Sequence, residues 1–136
     1  MVKMTAEYQG HLHCELVHGP SASKLETDAP KDNQGKGERF SPTDLVGAAL
    51  VSCILTTMAI VAERDGVSIQ GARGEVQKEM IPQPRRIGAL PVKIWLPASI
   101  AADYRKKLEH AAHACPVHKS LHPDIQAPIE FIYEEI

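Results

Sequence analysis

The sequence predicts a single α+β domain spanning residues 1–136. Three patterns lead there. Leu45 to Ala62 carries no charge and has helix signals at both ends. Residues alternate apolar and polar at the N-terminus and again around Val92–Leu96. A one-sided helical stripe then precedes a closing apolar segment. A chain of 136 residues can bury about two-thirds of its unfolded surface.

From Val2 to Leu16 the apolar residues Val2, Met4, Ala6, Tyr8, Leu12, Cys14 and Leu16 alternate with polar ones, which predicts one long antiparallel strand over 1–18, bent or bulged at Gly10. Gly19-Pro20 turns the chain and Ala22–Thr27 returns as a second strand. The polar stretch Asp28–Glu38 reads as a loop; its Gly35, Lys36 and Gly37 lack the spacing of a phosphate-binding loop.

Ser41 suits a helix cap and Pro42 the first helical position, with Asp44 placing a carboxylate beside the positive helix end. The stop is Gly66, a residue able to take the left-handed C′ conformation. The uncharged part would be roughly 27 Å long. That nearly spans a bilayer, but Gly47, Ala48, Ala49, Ser52, Thr56, Thr57, Ala59 and Ala62 dilute its hydrophobicity. The prediction is a buried core helix, enclosed on all sides, with no membrane role. Ala48, Ser52 and Ala59 would let a second helix approach, such as its copy in a dimer.

Beyond it, Val67–Met80 has strand character broken by Gly71 and Gly74, and Pro82–Arg86 reads as a surface turn. Val92, Ile94 and Leu96 mark a strand ending at Pro97. Ser99 is the predicted cap of a helix whose buried stripe is Ile100, Tyr104, Leu108, Ala111 and Ala112. Cys115-Pro116 opens a second short helix, and Ile129–Ile136 closes the chain as a strand.

Composition excludes several classes. A net charge of −2 and few aromatic residues argue against nucleic acid as partner. The N-terminus lacks the apolar core of a secretory signal, which predicts a cytoplasmic protein. In that setting the three cysteines, Cys14, Cys53 and Cys115, would rest as thiols.

Cys115 would cap its short helix, where free N–H groups favour a thiolate and His113, His118 and Lys119 add positive charge. Cys53 lies on an apolar helix that disfavours a thiolate, and on spacing alone it reads first as a small buried hydrophobe. To react it needs a cation from elsewhere, with Arg39, Arg73, Arg85 and Arg86 as the supply. His110, His113, Cys115, His118 and His122 form a segment with zinc-compatible donors, yet without a compact ligand signature. No metal or organic cofactor is predicted.

SPTDLVGAALVSC and CPVHKSL, about sixty residues apart, together resemble the OsmC/Ohr family of organic hydroperoxide reductases. The TDAP and GKGERFSPTDL segments are more similar to its OsmC-like branch. The resemblance extends over nearly the whole chain in element order. It implies an intertwined homodimer in which strands of both subunits wrap two central helices. It also implies that Cys53 is the peroxidatic cysteine and Cys115 the resolving one, with an organic hydroperoxide as substrate and an external dithiol as reductant. Thr43 occupies the family's glutamate position and Asp44 follows it as the expected substitute. Arg39 is the expected activating cation, since no arginine precedes it. Cys14 matches no functional position. Two alternatives remain: a non-catalytic or redox-sensing relative, and a zinc-binding protein using the 110–122 cluster.

Overall fold

The computed structural model describes Met1–Ile136. The chain forms two compact units, Met1–Val46 and Gly47–Ile136, described in turn.

The first unit holds β1 (Met4–Tyr8), β2 (His13–His18) and β3 (Lys24–Asp28), an antiparallel sheet in the order β1-β2-β3. The long strand expected over 1–18 is instead a hairpin. Gly10, His11 and Leu12 all take positive φ (86°, 54° and 60°), and His13 N–H closes the turn on Gly10 O at 3.1 Å. Gly10 announces such a turn; histidine and leucine do not, because their side chains disfavour that region. The apolar alternation survives because Ala6 pairs with Leu16 and Tyr8 with Cys14, which keeps these residues on one sheet face. β3 begins two residues later than the sequence suggested, since Ala22 sits at φ 59° in the preceding turn.

Helix α1 (Pro42–Arg64) starts in this unit. Asp44 N–H donates to Ser41 Oγ at 3.0 Å, and Ser41 N–H donates to Asp44 Oδ2 at 2.9 Å, a reciprocal capping box. At the far end Gly66 has φ 70°, its N–H reaches Glu63 O and Val67 N–H reaches Ala62 O, so two terminal carbonyls are satisfied by a Schellman closure. By length and composition alone α1 could cross a membrane. The enclosure predicted on every side is not present within this chain. Gly47, Leu50, Ile54, Met58 and Ala62 form one buried stripe, while Ser52 and Thr56 are exposed and Ile60 is 50 % exposed.

The second unit contains β4 (Arg73–Val76), β5 (Glu79–Ile81), β6 (Arg86–Ala89) and β7 (Val92–Pro97). After them come α2 (Ala102–His113), α3 (Pro116–Ser120) and β8 (Ile129–Glu134). β4, β7 and β8 form one sheet, and β5 with β6 a hairpin. β7 and β8 run parallel, so α2 and α3 are the crossover that a parallel pair requires. Alternation in β7 buries Val92, Ile94 and Leu96, which share a core with Leu50, Ile54, Met58, Leu90, Leu108 and Cys115.

Two local readings need correction. Gly74 does not break a strand: it lies inside β4, where an added Cβ would stand 2.4 Å from Val51 Cγ2 and 3.0 Å from Ile94 Cδ1, so its bare backbone is what lets α1 sit so close. α2 is capped at Ala101, not at Ser99, and no side chain serves its first N–H groups. In addition, β6 was not anticipated: it begins at Arg86, which the sequence placed in the turn, and its four residues are too few to show a period.

Candidate active site

The second unit brings Cys53 and Cys115 together. Cys53 faces sideways from the middle of α1, half-buried, with Sγ 3.9 Å from Thr57 Oγ1. Cys115 is the N-cap of α3 and has no exposed surface. Its extended backbone (φ −61°, ψ 138°) and Pro116 at the first helical position aim the sulfur back over the helix start, where His118 N–H donates to Sγ at 3.3 Å. The two sulfurs lie side by side, close enough for one to hydrogen-bond the other, and both are free thiols.

The protonation of Cys115 runs against the sequence expectation. Burial pushes its thiol above the ordinary value; the N–H of His118 pulls it down, and the neighbouring Cys53 raises it again through hydrogen bonding and charge. Loss of water outweighs the helix end, so Cys115 rests as a neutral thiol. The capping position was legible in the sequence, but the depth of burial depends on tertiary packing.

Around the cysteines, the His113 and His118 rings meet edge to face at 5.9 Å, and His113 meets Phe131 in the same way at 6.1 Å. His118 Nε2 lies 3.3 Å from Ala127 O, and His122 Nδ1 lies 3.7 Å from Asp124 Oδ2. The 110–122 segment therefore does not converge: no group of three His, Cys, Asp or Glu side chains is arranged to hold a metal ion. An open groove of about 700 Å³ runs past Leu55, Ala59, Glu63 and Val67, and neither cysteine lines it.

The other two candidate residues belong to the first unit. Asp44 supplies the α1 capping box. Arg39 Nε donates to Glu26 Oε2 at 3.3 Å. Glu26 in turn reaches His13, whose second ring nitrogen meets Asp28. This four-residue cluster went unread in the sequence. The only signal was the alternation that puts His13 and Asp28 on pairing strands, and that appears only once the register is known.

The OsmC-like protein family matches residues 35–130 of the chain. Among solved structures, one from Psychrobacter arcticus 273-4, of a protein proposed to act in osmotic stress induced and detoxification responses, is 40 % identical with TM-score 0.91, covering 96 % of each chain. An organic hydroperoxide resistance protein OsmC from Legionella pneumophila is similar in fold at 14 % identity and TM-score 0.78, covering 97 % of this chain and 96 % of the other. OhrB of Bacillus subtilis is similar at 18 % identity and TM-score 0.69, with 96 % and 97 % covered. No curated protein sequence matches.

Proposed function

This chain belongs to the OsmC-like protein family, and from that premise we propose that it is a two-cysteine peroxidase that reduces organic hydroperoxides. The observation that carries the reading is the adjacency of Cys53 and Cys115, free thiols on separate elements. The descriptions of fold neighbours as organic hydroperoxide resistance proteins support a peroxide substrate.

The reaction follows from the two environments. Cys53, the more accessible sulfur, gives up its proton and attacks the distal peroxide oxygen as its thiolate; the O–O bond breaks, the leaving alkoxide takes up that proton to become an alcohol, and Cys53 becomes a sulfenic acid. Cys115 gives up its proton and attacks the Cys53 sulfur. A disulfide forms and the sulfenic oxygen departs as water. An external dithiol then reduces the disulfide and restores both thiols. The apolar character of the helix that carries Cys53 suits an alkyl hydroperoxide better than hydrogen peroxide. In this reading Arg39 supplies the activating cation and Asp44 the carboxylate of the first step. The reading includes a cytoplasmic location and a homodimer that covers the open side of α1.

A second reading, a redox-sensing relative without turnover, is favoured by Thr43 standing at the glutamate position and by Arg39 being engaged with Glu26. One experiment separates them: mass spectrometry of the reduced protein after one equivalent of cumene hydroperoxide, followed by turnover with a dithiol. Peroxide consumption with a Cys53–Cys115 disulfide supports the enzyme. Disulfide formation without sustained turnover leaves the sensor. Neither disulfide nor peroxide loss overturns both.

A further inference from the structure

His13 lies between two carboxylates. Its Nδ1 is 2.6 Å from Asp28 Oδ1 and its Nε2 is 3.1 Å from Glu26 Oε1. An ionised carboxylate only accepts, so meeting one at each ring nitrogen requires N–H on both, which is the imidazolium. Asp28 is 7 % exposed as a residue, and the His13 side chain 24 % exposed, so water does little to loosen the shorter contact. Glu26 uses its second oxygen on Arg39. With His13 protonated, two carboxylates face two cations and the cluster is neutral. The main chain is tied in at the same place: Asp28 N–H donates to Phe40 O at 3.2 Å, two residues ahead of α1.

The register shows what else faces His13. Glu15 and Glu26 pair across β2 and β3, Glu7 pairs with Glu15 from β1, and Lys24 Nζ lies 3.7 Å from Glu15. These pairings thus bring one more opposed pair and one further carboxylate to that face, with Lys3 at its far end, where its carbonyl accepts from Gly19 N–H.

We propose that His13 is a pH-sensitive clasp: as imidazolium it locks β2 to β3 and, through Glu26, fixes Arg39 and the segment leading into α1. Removing the proton leaves one N–H. It stays on Nδ1, where Asp28 is nearer and more buried, and Nε2 then turns a lone pair toward Glu26, so that Glu26 and Arg39 are released from the sheet. The sign follows from the partners. The Asp28 contact, ahead of the Glu26 contact, raises His13 above its ordinary 6.5 despite its partial burial. The clasp is therefore fully closed below about 6.5 and opens as pH rises through the raised value. It requires neither peroxide chemistry nor either of Cys53 and Cys115.

The test is an NMR titration of the full-length protein that follows the His13 ring carbons and the Arg39 Nε–H resonance. The wild type should titrate at His13 above 6.5, with Arg39 Nε–H moving along the same curve. D28N should lower the His13 midpoint further than E26Q does. In E26Q the Arg39 resonance should lose its pH dependence while His13 still titrates; H13Q should abolish that dependence, and E26Q serves if H13Q does not fold. A His13 midpoint at or below 6.5, or an Arg39 signal indifferent to His13, overturns the clasp. Loss of peroxidase activity with the titration intact would sink the enzyme reading alone.

Discussion

Ser41 and Asp44 hydrogen-bond each other twice across the first turn of α1, each main-chain N–H donating to the other's side chain at 2.9 and 3.0 Å. That exchange fixes where the helix begins and commits one Asp44 oxygen to the cap. Replacing Ser41 with alanine should cost about 1 kcal/mol in a urea unfolding experiment. Because the two bonds depend on each other, S41A and D44A combined should cost less than the sum of the single variants. Strict additivity would contradict the reciprocal arrangement.

Gly74 is a second point of leverage. A methyl group there meets Val51 at 2.4 Å, and a β-branched side chain on a helix has little freedom to withdraw. G74A should therefore destabilise by about 1–3 kcal/mol, the usual range for overpacking, and shift the resonances of Val51 and Leu55. A G74A variant as stable as wild type would mean that β4 and α1 can separate at no cost.

Much of the fold could be read from the chain because its signals are local. Both ends of α1 are set by residues within five positions of each other, and β7 declares itself through Val92, Ile94 and Leu96. What failed depended on distant partners or on backbone states that side chains do not advertise. His11 and Leu12 at positive φ turned one strand into two. Gly74 looked like a break because its neighbour Val51 lies far away in sequence. The cysteine positions were legible from motif and cap, but the state of the Cys115 thiol was not, since burial decides it.

The raised Cys115 gives a kinetic signature. Its reactive thiolate is scarce near neutrality, so conversion of the Cys53 sulfenic acid to disulfide should speed up by about tenfold per pH unit over the range below its titration. Stopped-flow loss of dimedone-reactive species after peroxide addition measures this. A rate already flat around neutral pH would show that Cys115 is ionised there.

Ile60 tests the assembly. It is 50 % exposed on a helix whose opposite stripe is wholly buried, and beside it runs the groove past Leu55 and Ala59. Sedimentation should find a dimer, and Ile60→Lys should weaken it by burying an unpaired charge. A wild-type chain that sediments as a folded monomer at micromolar concentration would rule this out.

Cys53 and Cys115 touch although roughly 60 residues of chain separate them. Bonding them would close that whole span into a ring and strip the unfolded chain of many conformations it could otherwise explore. By the loop-entropy relation this amounts to roughly 4 kcal/mol in favour of the folded state. The oxidised protein should then melt well above the reduced one. Its melting temperature becomes a gauge of its redox history, readable without any substrate or dye.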